Sequence, residues 1–345
     1  MVGSVPIGGG APVSVQSMTN TDTRNVAATV EQIQKLKDVG CDIVRVAVPD
    51  REAAEALARI RKATTVPLVA DIHFNYELAL LAVGAGVDKL RINPGNIGSR
   101  SEVAEIVAAA KDKAIPIRVG VNSGSVPREF LEKYGGPTAL ALVESALKQV
   151  AILESMGFYD IVISIKSSDV TVAIEAYTMI ADRTDCPLHV GITEAGGLRL
   201  GIVKSCVGIG AILSRGIGDT IRVSLTADPV EEVKAGKAIL NALRLRRDMV
   251  NVISCPTCGR TGVNLGEIAA QVESKLSHLS VPLDVAVMGC VVNGPGEARE
   301  ADYGVACGRG SGLLFKKGKP VRTVPEDRIA DELVELILND LAGEG

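Results

Sequence analysis

Two groups of residues in this 345-residue chain have types and spacings that can do chemistry. The first runs from Cys255 to Glu297. Cys255-Pro256-Thr257-Cys258-Gly259-Arg260 presents two thiols at C-x-x-C spacing in a Pro/Gly-bounded turn. Met288-Gly289-Cys290-Val291-Val292-Asn293-Gly294-Pro295-Gly296-Glu297 brings a third thiol in a second turn of the same kind. Chains wrap soft thiolate ligands around one metal centre in this way. A closed structural zinc site takes four nitrogen or sulfur ligands, and here Asn293 stands where a second knuckle would carry its fourth cysteine. Three cysteines with a weaker fourth ligand point instead to an iron–sulfur cluster with one distinct iron, open to a substrate. Cys307 could complete the set as a thiolate, or Glu297 as an oxygen ligand, and the spacing leaves both open. Cys41, Cys186 and Cys206 lie in the repeats described below and read as small buried hydrophobes.

The second group consists of cations. From about Pro12 to Leu245 the sequence alternates short β-branched runs with amphipathic Ala/Leu/Glu/Lys-rich segments, the signature of parallel strands joined by helices. Strands are predicted over Val13–Met18, Asp42–Val48, Pro67–Phe74, Lys89–Asn93, Pro116–Asn122, Asp160–Ser167, Pro187–Glu194 and Asp219–Thr226. The helix that follows each begins near Ala27, Arg51, Tyr76, Ser101, Thr138, Val170, Leu200 and Pro229. Eight such units over this length match a (β/α)8 TIM barrel. A doubly wound open sheet is the alternative, but no Gly-x-Gly-x-x-Gly follows the first strand.

Strand side chains alternate faces, so residues two apart share a side. That parity places Gln16, Arg45, Asp71 with His73, Arg91 with Asn93, Arg118 with Asn122, Ser164 with Lys166, and Arg222 with Ser224 near strand C-terminal ends. Active sites of this fold sit at that end. Five cations from five strands, Arg45, Arg91, Arg118, Lys166 and Arg222, therefore converge in a chain whose net charge is −4. Such convergence is costly unless an anion neutralises it, and arginine forks suit phosphate oxygens. The other account is a set of structural ion pairs with Asp71, Glu194 and further barrel carboxylates, but too few carboxylates share the mouth to cover all five. The expected ligand is a small phosphate or diphosphate. Asp71, His73 and Glu194 are the candidate proton-handling groups, whereas His189 and His278 have no such company and read as structural.

After Arg247 the segments shorten and glycine and proline become denser. Helices are expected over Leu265–Leu279 and Asp327–Ala342, and strands over Leu283–Met288, Tyr303–Cys307, Gly312–Lys316 and Lys319–Val324. The expected organisation is a barrel over 1–247 and a small α+β metal domain over 248–345. Val2–Gly10 reads as a short hairpin closing the barrel bottom, and its abrupt start leaves room for a trimmed N-terminus. A 47% hydrophobic content with 23% charged residues is that of a globular core. No apolar run can cross a membrane and no signal peptide is evident, which points to the cytoplasm. Seven cysteines in such a chain argue for metal binding or packed free thiols over a disulfide framework. No basic run offers nucleic acid a footprint, and 3% aromatic content with no tryptophan leaves little for stacking on bases.

Taken in order, Ser17-Met18-Thr19-Asn20-Thr21-Asp22-Thr23, Asp71-Ile72-His73-Phe74, Arg91-Ile92-Asn93-Pro94-Gly95-Asn96-Ile97-Gly98, Arg118-Val119-Gly120-Val121-Asn122-Ser123-Gly124-Ser125, Gly191-Ile192-Thr193-Glu194-Ala195-Gly196 and the two cysteine turns resemble the 4-hydroxy-3-methylbut-2-enyl diphosphate synthase family. The likeness is to its bacterial two-domain form, from the non-mevalonate isoprenoid pathway, and covers essentially the whole chain. It implies a [4Fe–4S] cluster held by Cys255, Cys258, Cys290 and Glu297. It implies reductive opening and dehydration of 2-C-methyl-D-erythritol 2,4-cyclodiphosphate, with electrons from flavodoxin or ferredoxin. It also implies a homodimer in which one chain's cluster domain caps the other's barrel. In that setting Arg45, Asp71, His73, Arg91, Asn93, Arg118, Asn122, Lys166, Arg222 and Ser224 bind substrate and Glu194 is the catalytic proton donor. Two other readings are a Schiff-base or metal-assisted sugar-phosphate lyase using Lys166, and a non-enzymatic iron–sulfur sensor.

Overall fold

The computed structural model describes residues 1–290, 296 and 299–343. Its contacts divide the chain into two units, Met1–Leu243 and Arg244–Gly345.

The first unit carries eight parallel strands: β1 (Ser14–Met18), β2 (Ile43–Ala47), β3 (Leu68–Asp71), β4 (Lys89–Ile92), β5 (Ile117–Asn122), β6 (Ile161–Lys166), β7 (His189–Val190) and β8 (Thr220–Ile221). They pair in the order β6-β5-β4-β3-β2-β1-β8-β7, and a parallel bridge between Ile163 and Leu188 joins the two edges into a barrel. Outside lie α1 (Val26–Asp38), α2 (Arg51–Ala63), α3 (Tyr76–Gly84), α4 (Arg100–Asp112), α5 (Arg128–Tyr134), α6 (Ala139–Glu154), α7 (Val170–Ala181), α8 (Leu198–Leu213) and α9 (Pro229–Ala242). Most of these helices start where a side chain accepts an otherwise orphaned first-turn N–H: Asn25, Asp50, Asn75, Ser99, Thr138, Asp169 and Asp228. Ser99 and Glu102 form a reciprocal capping box.

Strand residues such as Val44, Val46, Leu68, Ala70, Leu90, Ile92, Val119 and Ile163 are fully buried between sheet and helices. The inward positions alternate with them. At the bottom they include Ile43 and Val69, on which Val2 packs behind a small Val2–Val5 bridge, as the hairpin reading expects, together with the buried Lys89. Toward the mouth they become polar.

Three strands end earlier than their β-branched runs. The expected Pro67–Phe74 strand stops at Asp71, because the chain turns through a left-handed Phe74 (φ 63°). The run through Glu194 pairs over His189–Val190 alone before its own left-handed turn at Glu194 (φ 51°). That ending Asp219–Thr226 pairs over Thr220–Ile221 before Leu225 N–H leaves the ladder for Glu232. The α5 turn lies in the connection after the fifth strand, where periodicity predicted only the following helix.

The second unit is an α+β layer. β9 (Asn251–Ser254), β10 (Asp284–Met288), β11 (Tyr303–Cys307), β12 (Ser311–Lys316) and β13 (Lys319–Pro325) form one sheet in the order β13-β12-β11-β10-β9. β9, β10 and β11 run parallel and the others antiparallel. α10 (Leu265–Leu276) and α11 (Ile329–Gly343) cover one face. Period-2 alternation in β10 separates the faces. Val285 and Val287 meet Ile268, Val272, Leu333 and Ile337, whereas Ala286 and Met288 meet Phe315 and Ala301. β9 itself, ending at the first cysteine turn, is a strand that the composition of that stretch did not announce.

Candidate functional site

At the C-terminal end of the barrel, Asp71 is the hub. Its Oδ1 accepts from Arg91 Nη1 at 3.2 Å, with His73 Nε2 3.6 Å away, and its Oδ2 lies 3.8 Å from Arg45 Nε. Arg91 Nη1 also reaches His73 Nε2 at 2.7 Å. Strand register creates the cluster: Arg91 pairs with Asp71 on one side and with Arg118 on the other. Burial alone would raise the Asp71 pKa, but the charge of Arg45, then His73 and Arg91, holds it well below the usual carboxylate range.

Two glycines make room for the cations. A Cβ at Gly120 would lie 2.7 Å from Arg91 Nε and 2.9 Å from its Nη2, and one at Gly191 would lie 2.5 Å from the Arg222 backbone O and 3.1 Å from Lys166 Nζ. Neither glycine has a left-handed φ, so close approach and not conformation explains them. Arg118 is 1% exposed; it donates to Gln16 Oε1 at 3.4 Å, and its Nε has no partner among the described residues. Arg222 is tied to Glu232 of α9, with three N–O separations of 3.2–3.3 Å.

A cavity of about 130 Å³ opens between these groups. Arg45, Asp71, His73, Arg91, Arg118, Asn122, Lys166, Arg222 and Ser224 all line it, and Gly120, Ser164 and Thr193 complete the wall. Among the described residues the lining holds five cations and one carboxylate, with Glu232 behind Arg222, so three positive charges are left over. Burial, reinforced by neighbouring cations, pushes the pKa values of Lys166 and Arg118 well below their ordinary values and that of Arg45 down to about 10. An anion entering here relieves repulsion already built into the empty wall.

Two expected residues stand apart from the wall. Asn93 turns its Oδ1 to the Gly95 N–H at 3.3 Å and shapes the loop after β4. Glu194 follows the lining residue Thr193 and is exposed. The left-handed turns of Phe74 and Glu194 both fall in loops at this end of the barrel. For the bulky Phe74, 77% exposed beside His73, such a conformation is a genuine outlier, and strain of this kind gathers at functional sites. Sequence parity missed Glu232 because it comes from a helix; Glu231-Glu232 in a first turn reads as ordinary complement to the helix dipole. Gly120 and Gly191 carried no signal beyond being glycines inside strands.

In the second unit, β9 and β10 are parallel neighbours with Ser254 opposite Val287. Their C-terminal ends therefore bring the Cys255 turn beside Met288-Gly289-Cys290. Gly289 N–H donates to Cys255 Sγ at 3.2 Å, and Gly262 N–H to Gly289 O at 3.2 Å. The Cys258 N–H donates to Thr261 Oγ1 at 3.1 Å. The backbone N–H and guanidinium of Arg260 pull the exposed Cys258 thiol below its ordinary pKa. In turn Cys258, first through its hydrogen bond, raises the pKa of the Arg260 guanidinium, with Cys290 and Cys255 close enough to add to the effect when ionised.

Cys307 ends β11 inside the helix-covered core, where burial raises its thiol to about 12. Cys41 is likewise buried and raised to about 12. Glu297 lies outside the described residues. Among those described, no three His, Cys, Asp or Glu side chains surround a single metal ion. A polynuclear cluster takes its thiolates on different irons, and three thiols on two tied loops around one cation suit that demand.

A closed (β/α)8 barrel with a cation-rich mouth, followed by an α+β unit in which two tied loops carry Cys255, Cys258 and Cys290, defines a barrel protein with a cavity suited to an anion and a second, thiol-bearing unit. Residues 1–237 match the GcpE TIM-barrel domain and residues 251–339 the GcpE protein C-terminal domain. The chain belongs to the GcpE family. It is 59% identical over 336 residues to the 4-hydroxy-3-methylbut-2-en-1-yl diphosphate synthase (flavodoxin) of Symbiobacterium thermophilum, spanning 97% of this chain and 91% of that one. The proteins of the same name from Geobacter sulfurreducens and Clostridium tetani are 57% and 58% identical, over 99% and 98% of this chain and 97% of each relative. Among solved structures, the dihydropteroate synthase of Yersinia pestis superposes with a TM-score of 0.50 at 13% identity, over 71% of this chain and 99% of that one, a likeness of fold alone.

Proposed function

We propose that this chain is an oxidoreductase that opens and dehydrates 2-C-methyl-D-erythritol 2,4-cyclodiphosphate to 4-hydroxy-3-methylbut-2-enyl diphosphate. In this reaction the ring C–O bond breaks, two electrons enter the carbon skeleton, and one oxygen leaves as water with protons taken up. The observation that carries the reading is the three-cation surplus around a polar cavity, which calls for a multiply charged anion. Family membership supports it through the printed activity of the relatives.

Arg45, Arg91, Arg118, Lys166 and Arg222 would hold the diphosphate, with Asn122 and Ser224 orienting it and Asp71 holding Arg45, Arg91 and His73 in place. Asn93 would serve through the loop it shapes. Charge that grows on the departing diphosphate oxygen meets donors already aimed at it, which is where preorganised cations lower a barrier. Glu194 would give its proton to the oxygen that leaves as water, from a strained turn beside the cavity wall.

Cys255, Cys258, Cys290 and Glu297 would hold a [4Fe–4S] cluster. When bound, it supplies the electrons and a Lewis-acidic iron. Flavodoxin, named with the relatives, is the electron donor we assign, with ferredoxin as substitute, and the cytoplasm is the compartment we assign to the reaction. No helix among the described residues is long and apolar enough to cross a membrane. We assign a homodimer in which the cluster domain of one protomer caps its partner's barrel. The exposed Leu200, Val203 and Val207 on one face of α8 support self-association.

The deciding experiment is anaerobic turnover of the cyclodiphosphate with reduced flavodoxin, on protein analysed for iron and sulfide. About four of each per chain is expected; a colourless zinc protein that turns the substrate over would refute the cluster assignment. A second reading, a sugar-phosphate lyase with Lys166 as Schiff-base amine, draws on the depressed pKa of that buried amine. Borohydride reduction in the presence of a sugar phosphate would label Lys166 in that case and leave it unlabelled in ours.

A further inference from the structure

One buried carboxylate that no strand supplies organises the β8 side of the mouth. Glu232 lies in the first turn of α9, yet it is only 3% exposed. Its Oε2 accepts from Arg222 Nε at 3.3 Å, Arg222 Nη2 at 3.2 Å and Ser17 Oγ at 3.0 Å. Its Oε1 accepts from Arg222 Nη2 at 3.2 Å and from the Leu225 N–H at 3.0 Å. A glutamate that merely complemented the helix dipole would face its own first-turn N–H groups. Glu232 faces instead the end of β1, the arginine after β8 and the β8–α9 loop.

We propose that Glu232 is a positioning residue for anion recognition: it turns Arg222 so that the Nη1 edge faces the cavity, and it fixes the loop that carries Ser224. The inference rests on the diphosphate reading of the mouth. A guanidinium is a planar fork, so engaging its Nε–Nη2 edge sets the direction of the remaining donors. Arg222 lines the cavity while that edge is held by the carboxylate. Because Glu232 also cancels the charge of Arg222, this arginine contributes direction, and the surplus attraction comes from the other cations of the wall. Ser17 and the Leu225 N–H hold the carboxylate in turn, so the β8 edge is preset before ligand arrives.

The test is calorimetric binding of inorganic diphosphate to the anaerobically purified full chain, with cyclodiphosphate turnover measured in parallel. In Glu232→Gln one carboxylate oxygen becomes an amide nitrogen among groups that are themselves donors. Binding should weaken about tenfold, and KM should move more than kcat. In an Arg222→Met background the same substitution should cost nothing more, because the carboxylate acts through the arginine. Ser17→Ala leaves every charge in place and should weaken binding about twofold. It also serves should Glu232→Gln fail to fold. Unchanged affinity in Glu232→Gln, or losses that simply add to those of Arg222→Met, would overturn the proposal. Normal diphosphate binding by a wild-type chain that does not turn over the cyclodiphosphate would refute the catalytic reading and leave this test intact.

Discussion

Gly120→Ala is the smallest change that should disable the mouth. The backbone at Gly120 accepts any L-residue, so the added methyl acts only through what it touches. It would arrive 2.7 Å from Arg91 Nε, against about 3.4 Å for an ordinary contact, so the guanidinium must move by roughly 0.7 Å. Arg91 has little room to do so. Its Nη1 bridges Asp71 at 3.2 Å and His73 at 2.7 Å, and its Nη2 lies 3.5 Å from Gly120 O. Weakening one charge-assisted bond to buried Asp71 costs about 1.5–3 kcal/mol, which is about ten- to a hundredfold in diphosphate affinity if the shift is not recovered on binding. Overpacking should lower the melting temperature by about 2–4 °C per kcal/mol for a unit of this size. Calorimetry with inorganic diphosphate and a thermal melt read both. Lysine is slimmer than arginine beyond Cδ, so Gly120→Ala should add little loss in an Arg91→Lys background. Wild-type affinity and melting temperature in Gly120→Ala would refute the cradle, and with it the inference that the bonds of Arg91 to Asp71 and His73 leave its guanidinium little room to move.

Three further outcomes are expected. Glu194→Gln should keep iron content and substrate binding and lose most turnover, about a hundredfold or more; near-normal single-turnover rates would remove Glu194 from proton delivery. Cys290→Ser should lose iron while Cys307→Ala keeps it, because Cys307 is a buried protonated thiol in the core; iron analysis that shows the reverse would exchange their roles. Lys89 is fully buried with no partner on Nζ among the described residues, and burial holds its pKa well below 10.5. The folded chain therefore binds fewer protons than the unfolded chain between that lowered value and about 10.5, and stability rises with pH across the window. Lys89→Met should be more stable than wild type at pH 7, with the gain shrinking toward pH 10. Urea unfolding at the two pH values checks the sign.

Much of the barrel was legible because its periodicities are local. Inward parity follows from the alternation of a strand, so Arg45, Asp71, Arg91, Arg118, Lys166 and Arg222 could be assigned to one side of their strands before any strand was paired with another. The ends of β3, β7 and β8 were not legible, since they depend on where a turn at Phe74, Glu194 or Leu225 leaves the ladder. The cysteine turns were legible by spacing. Spacing could not say that Cys307 is buried, because that depends on which face of β11 packs under α10 and α11.

By itself, then, the sequence determined which residue types face inward and how many strands bring them, because side-chain direction along one strand needs only that strand. The tertiary structure decided what those residues do to one another. Register set Arg91 between Asp71 and Arg118, a missing Cβ at Gly120 gave it space, and a local turn drew Asn93 off the wall. A helix more than two hundred residues along the chain from Ser17 supplied the carboxylate that aims Arg222. All but the Asn93 turn are contacts between separate elements of the fold, and no pattern within one strand encodes them.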